Sequence, residues 1–252
     1  MNANAARSAD APSAGWKDKC AAIIPCFNEA AHIQQVVADV RRLLPRVIVV
    51  DDGSTDATTE RAKLAGAEAL WLEKNFGKGA ALRAGWQHAG ELGFEWVLML
   101  DGDGQHSAED VPGFLACAET TGAKLVVGNR MGNARKIPPL RRFVNRWMSR
   151  RLSRLTGATL PDSQCGFRLA RLETLRRLRV QANRFEIESD MLVAFLAAGH
   201  TVRFVPVQTI YRSRATKIHP LADTLRWFRW WRRQRKPGTG GILLAPAAPA
   251  NL

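Results

Sequence analysis

Asp101, Asp103 and Gln105 alternate with glycine in Asp101-Gly102-Asp103-Gly104-Gln105, directly after the apolar run 96–100. Hard oxygen donors on a short loop suit one divalent cation, Mg2+ or Mn2+, bridging two phosphates, and do not suit zinc. An Asp-Gly turn capping the next helix would use the same residues, and the strand in front tips the reading toward metal. Asp51-Asp52-Gly53-Ser54-Thr55-Asp56 reads from Ser54 onward as a turn and helix cap, whereas Asp52, at a strand end, can accept hydrogen bonds from the base or ribose of a nucleotide. In Asn75-Phe76-Gly77-Lys78-Gly79-Ala80, bare backbone and Lys78 can approach an anion at a helix start, with a solvated lysine in a glycine turn as the alternative. The full spacing GxxxxGK[ST] of a P-loop is missing, which weakens an ATPase reading.

Acids return later at Asp162, Glu188 and Asp190. The last two precede an apolar helix and could cap it, but three acids so close exceed what one cap requires. Between them and the metal-type loop lie Arg141, Arg142, Arg146, Arg150, Arg151 and Arg154, with Phe143, Val144, Trp147 and Leu155 at helical spacing and no acid to offset them. The segment 225–233 repeats the theme, alternating Trp and Phe with Arg. Both stretches suit an anionic headgroup interface, although a solvated charged face or a nucleic-acid surface has the same composition.

These residues need strands to aim them. Short apolar runs alternate with amphipathic stretches, the rhythm of βαβ units on a doubly wound, mostly parallel sheet flanked by helices, an α/β class. Strands are expected at 20–26, 46–51, 68–72, 96–101, 124–128 and 201–207, with helices at 29–44, 56–65 and 190–198, an Arg-rich helical stretch after 130 and a loop over 161–166. In an open parallel sheet, ligands sit beyond the carboxyl ends of the strands. The segments Pro25-Cys26-Phe27-Asn28-Glu29, Asp51-Asp52-Gly53-Ser54, Asp101 to His106 and Gly128-Asn129-Arg130 should therefore outline one cleft.

The 252 residues suffice for one such domain. The expected boundaries are a loose lead over 1–18, a catalytic domain over 19–210, a basic aromatic loop and helix over 211–236 and a loose tail over 237–252. The four cysteines show neither CxxC nor zinc spacing, which fits reduced thiols in the cytoplasm. No stretch approaches the ~20 apolar residues of a spanning helix, so membrane contact is expected to be peripheral. A net charge of +14 asks for an anionic partner. A nucleic-acid binder would leave the acids after the strands unexplained, since carboxylates repel phosphate without a metal between them, and nucleic acid is not an expected partner.

Together these motifs resemble a family 2 glycosyltransferase with the GT-A fold, nearest the dolichyl- or polyprenyl-phosphate sugar synthase branch. The resemblance runs over about 20–233, through IPCFNEAAHI, VIVVDDGSTDAT, NFGKGAALRAGW, LDGDGQH, VGNR, DSQCGFRL, FEIESDML and YRSRATKIHPLADTLR. It implies that Pro25, Asn28, Glu29, Asp52, Lys78 and Asp101 bind a UDP- or GDP-sugar, and that Asp101, Asp103 and Gln105 hold the metal on its diphosphate. It places Arg130 and Arg142 at the acceptor phosphate and Arg212, Arg214 and Lys217 in a loop closing on substrate, and it puts Asp162, Glu188 and Asp190 at catalytic positions.

The implied reaction is in-line displacement with inversion, onto a lipid phosphate or a similar lipid-linked acceptor. A phosphate is already nucleophilic, whereas a soluble saccharide or other hydroxyl acceptor, the alternative, would need one of those acids as base. A sugar-nucleotide nucleotidyltransferase would open with a Gly-rich signature that Pro25 to Glu29 lacks. The place implied is the inner face of the membrane, reached through the basic surfaces or through a membrane-protein partner.

Overall fold

The computed structural model describes residues 15–132, 137–210 and 220–234. The chain runs α1 (Trp16–Lys19), β1 (Cys20–Cys26), α2 (Ile33–Arg41), β2 (Val47–Asp51), α3 (Thr58–Leu64), β3 (Glu68–Trp71), α4 (Lys78–Glu91), β4 (Trp96–Met99), α5 (Val111–Thr121), β5 (Leu125–Asn129), α6 (Pro139–Thr156), β6 (Arg168–Arg171), α7 (Leu172–Arg177), α8 (Ile187–Ala197), β7 (Val202–Pro206) and α9 (Pro220–Gln234). β2 and β4 are buried along their whole length, and β1 everywhere but at Pro25, because helices cover both faces of the sheet. α2 shows the matching stripe, with Ile33, Val36, Val37 and Val40 turned inward.

The seven strands lie in the order β3-β2-β1-β4-β6-β5-β7. The chain winds outward from β1 through β2 to β3, then returns to place β4 on the other flank of β1, parallel to it. The crevice beyond the carboxyl ends of β1 and β4 is thus the switch point where such sheets take ligands. This is the mostly parallel α/β sheet expected, with one correction: β6 lies between β4 and β5 and runs antiparallel to both. Its four residues, Arg-Leu-Ala-Arg, carry no strand pattern, and their place in the sheet comes from antiparallel pairing with β4 on one side and β5 on the other.

Two further differences concern the ends. Trp16 is buried, edge-on to Trp96 with ring centroids 5.3 Å apart, so this residue of the expected lead packs on the domain. Trp227, Trp230 and Trp231 of α9 are also buried. Trp227 Nε1 donates to Ser189 Oγ at 2.8 Å and Trp230 Nε1 to Asp190 Oδ1 at 3.1 Å. These tryptophans therefore fasten α9 to α8 and do not face lipid, because an indole offers both a large apolar area and one donor that a buried acceptor can satisfy.

Candidate active site

The loops after β1 and β2 are tied to each other before any ligand is considered. Asn28, the one non-glycine among the described residues with positive φ (54°), accepts from Thr55 N through Oδ1 at 2.8 Å, while its own N–H donates to Ser54 Oγ at 2.7 Å. Glu29 N donates to Thr58 Oγ1 at 2.8 Å. Asp51 accepts from Ser54 N at 2.8 Å, as a turn-capping aspartate should. Pro25, the penultimate residue of β1, is half-buried, and Glu29 is likewise half-exposed after it.

Asp52 is buried and accepts from Phe76 N and Gly77 N, both at 2.8 Å. Burial raises its carboxyl above the usual range against these two bonds. Its first task is thus to hold the 75–78 loop over β2. Gly77, at φ 99°, and Gly79 both lie where a Cβ would collide with the backbone carbonyl of Asn183 or Ala182. The N–H groups of Gly79 and Ala80 donate to Asn183 O at 2.8 and 3.3 Å. A carbonyl therefore covers the start of α4, and this corrects the expectation of an anion there: the positive helix end is already used.

Lys78 is neither solvated nor turned to an open anion site. Its ammonium lies between Asp101 Oδ1 and Glu188 Oε1, the latter at 2.6 Å, deep in the cleft. Burial opposes its charge, but the two carboxylates win and hold the ammonium above its ordinary pKa. Burial likewise opposes ionisation of Asp101, and Lys78 with His106, whose Nε2 stands 3.3 Å from Asp101 Oδ2, keeps that carboxyl well below its usual range. Gly166 completes the packing, since a Cβ there would sit 2.8 Å from both Asp101 Oδ2 and Lys78 Nζ.

Asp103 makes no ion pair among the described residues, and His106 and Lys78 act on it only from a distance. Burial and then the charge of Asp101 raise its carboxyl, and its hydrogen bonds come from Gln105: backbone N at 3.0 Å and Nε2 at 2.7 Å. Two neighbouring hard carboxylates, one of them kept above its usual pKa by burial and then by the charge of the other, fit Mg2+ or Mn2+. No cluster of three His, Cys, Asp or Glu among the described residues could hold an ion on protein ligands alone. Gln105 spends its amide on Asp103.

The remaining acids are committed elsewhere. Asp162 is fully buried and takes Arg130 Nε at 2.8 Å, Arg130 Nη2 at 2.9 Å and Arg130 N at 3.1 Å. Burial pushes against its ionisation, and the guanidinium overrides this to hold it below the usual range. Arg130, expected to be exposed and to meet an acceptor phosphate, is buried in this pair. Asp190 accepts from Gln181 N, Ala182 N and Trp230 Nε1, at 2.7, 3.0 and 3.1 Å, fixing the loop that covers α4. Only Glu188 keeps an open oxygen: it is buried, and its Oε2 has no hydrogen-bond partner among the described residues. Arg142 is half-exposed near the start of α6, and Arg212, Arg214 and Lys217 lie outside the described residues.

Sequence reasoning overlooked His106, Gly166 and Arg168. His106 stood in the quoted motif beside the acids. Arg168 gave no signal: it is buried in β6 and donates to Cys165 O at 2.8 Å, Ser163 O at 2.9 Å and Glu188 O, bracing the 162–166 loop against α8. In that loop the Cys165 thiol is pushed up to about 11 by burial, so it is no nucleophile at neutral pH.

Known proteins resemble this chain in sequence and in fold. The sequence model of "Glycosyl transferase family 2" matches residues 21–179. Glycosyltransferase AglJ of Haloferax volcanii is 32% identical, over 82% of this chain and 68% of its own length. Undecaprenyl-phosphate mannosyltransferase of Micrococcus luteus is 29% identical over 75% and 84% respectively. The fold is that of glucosyl-3-phosphoglycerate synthase from Mycobacterium tuberculosis, crystallised with Mn2+, uridine diphosphate and phosphoglyceric acid, with a TM-score of 0.67 at 22% identity over 85% of this chain and 76% of that one. The same enzyme has been crystallised with Mg2+ and uridine diphosphate.

Proposed function

The chain belongs to glycosyl transferase family 2, and from that premise we propose that it transfers a sugar, with inversion, from a UDP- or GDP-sugar to a polyprenyl or dolichyl phosphate or a similar lipid-linked acceptor. The observation that carries this reading is the fate of the acids. An acceptor hydroxyl needs a base within reach, yet Asp162 is locked to Arg130 and Asp190 to three N–H donors. A phosphate acceptor needs none. The relative from Micrococcus luteus is named for an undecaprenyl phosphate, which agrees.

In this reading the loops holding Pro25, Asn28, Glu29 and Asp52 form the nucleotide end of the cleft. Asp101 and Asp103 would hold Mg2+ or Mn2+, which when bound stabilises charge on the departing diphosphate. Lys78 keeps Asp101 ionised and aims it, and Gly166 leaves that ion pair room. Glu188 Oε2, buried and without a hydrogen-bond partner among the described residues, would accept from a sugar hydroxyl, while Arg142, Arg212, Arg214 and Lys217 would supply cations for the acceptor phosphate. The residual case for a hydroxyl acceptor rests on that same Glu188 oxygen acting as base.

No helix among the described residues is long and apolar enough to cross a membrane, so the enzyme would meet its lipid peripherally, at the inner face. The test is to incubate purified protein and Mg2+ or Mn2+ with a panel of UDP- and GDP-sugars and either undecaprenyl phosphate or soluble saccharides, and to read product and anomeric configuration by mass spectrometry and NMR. Inverted transfer to the lipid phosphate is expected. Transfer to saccharides with the lipid phosphate inert would overturn the reading.

A further inference from the structure

We propose that the outer faces of α6 and α9 form a docking surface for an anionic lipid bilayer, which rests on the lipid-phosphate reading for its purpose and goes beyond it in naming the surface. The two helices touch along their flanks. Trp147 meets Trp227 with centroids 5.5 Å apart, and the Arg151 guanidinium lies 5.3 Å from the Trp147 ring and 5.5 Å from that of Trp231. The tryptophans of α9 are thus consumed in joining α9 to α6 and α8, and other residues are left facing water.

On α6 those residues are Leu140 and Phe143, at 70% and 68% exposure, followed by exposed Arg146, Arg150 and Arg154. Their spacing puts them on one helical face. α6 carries six arginines and no acid. On α9 the exposed residues among those whose side chains are described are Leu225, Arg229, Arg232 and Arg233. Leu140, Phe143, Arg146, Arg150 and Arg154 thus join apolar side chains to guanidinium groups without a compensating carboxylate on the helix.

A groove of about 350 Å³ runs along this face, lined by Pro139, Arg142, Phe143, Arg146, Trp147 and Arg150. Aromatic and aliphatic walls below a guanidinium rim match a headgroup phosphate above acyl carbon. Single-stranded nucleic acid would want several exposed rings for base stacking, whereas Trp227, Trp230 and Trp231 are buried and Trp147 is half-buried, which leaves Phe143 as the exposed ring among the described residues of the two helices. Charge complementarity and the exposed apolar side chains of Leu140, Phe143 and Leu225 therefore favour lipid.

The experiment is co-sedimentation of the protein with phosphatidylcholine vesicles containing rising fractions of phosphatidylglycerol. It compares wild type, the combined variant Arg146→Gln, Arg150→Gln, Arg154→Gln, and the separate variant Phe143→Ser. Each protein is also assayed in vesicle-free solution for sugar transfer to a short-chain, water-soluble isoprenyl phosphate. Binding should rise with phosphatidylglycerol. The arginine variant should lose about a hundredfold in partition coefficient, near fivefold per cation, with the loss shrinking at high salt. Phe143→Ser should lose partition that salt does not restore, and both variants should melt as wild type does and keep vesicle-free turnover. Lipid binding that responds to the variants while no isoprenyl phosphate accepts sugar would support the surface and overturn only the acceptor reading. Pelleting that ignores phosphatidylglycerol, pelleting equal in wild type and variants, or RNA stripping the wild type from vesicles would overturn the surface.

Discussion

On the nucleotide side of the cleft, beyond β1, β2 and β4, carboxylates and amides hold neighbouring loops through backbone N–H groups, and Asp103 is left beside Asp101 without an ion pair among the described residues. On the other side, around β6, α6, α8 and α9, charges are buried in closed pairs: Arg130 with Asp162, Arg168 with three carbonyls, Asp190 with Trp230 and two N–H groups. The first side keeps electrostatic tension that a cation would relieve. The second has spent its charges on structure, except at Glu188, whose Oε2 stays without a hydrogen-bond partner among the described residues. The same residue types therefore predict different losses when removed: activity without stability on one side, stability first on the other.

The largest effect should come from Asp103→Asn. Removing a metal carboxylate should lower transfer by a thousandfold or more, about 4 kcal/mol in barrier height, as should EDTA. Its melting temperature should hold or rise, because a carboxyl whose pKa is raised in the fold destabilises the fold when ionised. Activity surviving EDTA would break the comparison on the nucleotide side. Arg130→Ala comes next. Leaving Asp162 buried without its cation should cost about 3–5 kcal/mol, a fall in melting temperature of roughly 6–20 °C in thermal denaturation. A variant that melts like wild type and loses only acceptor KM would return Arg130 to the substrate.

Gly166→Ala sharpens the boundary, since this glycine belongs to the second side by sequence and touches the first side's ion pair. The added methyl meets Asp101 and Lys78 at 2.8 Å and should cost about 1–3 kcal/mol, read as a ten- to hundredfold fall in kcat/KM. The smallest effect is in acid. Asp162 titrates below the ordinary carboxyl in the fold, so its contribution is complete above the unfolded value near 4 and is lost as pH falls through the lower folded one. Melting followed from about pH 5 to pH 2 should show Asp162→Asn, less stable throughout, declining less steeply than wild type.

This division also explains what the sequence made legible. β1 through β5 and the residues at their carboxyl ends could be read from apolar runs followed by Asp, Asn and Gly, because those contacts are made within one loop or between adjacent strand ends. Arg130 and Asp162 are 32 residues apart, Arg168 lies in a strand with no strand pattern, and Trp230 meets Asp190 across 40 residues. Nothing in the local pattern distinguishes an arginine that will be buried by such a partner from one that will meet phosphate. The tryptophans of α9 show the same ambiguity, since an amphipathic aromatic helix serves a core and a headgroup interface with one composition.

The central claim, that the second side offers no committed base and the acceptor must bring its own negative charge, is tested most directly by one measurement. Transfer rates from the preferred nucleotide sugar to a short polyprenyl phosphate and to the matching polyprenol should be compared between pH 5.5 and 9. The account predicts turnover on the phosphate alone, rising with its second ionisation near pH 6 and flat above about pH 7. Comparable turnover on the alcohol, titrating with a protein group and lost in Glu188→Gln, would contradict it.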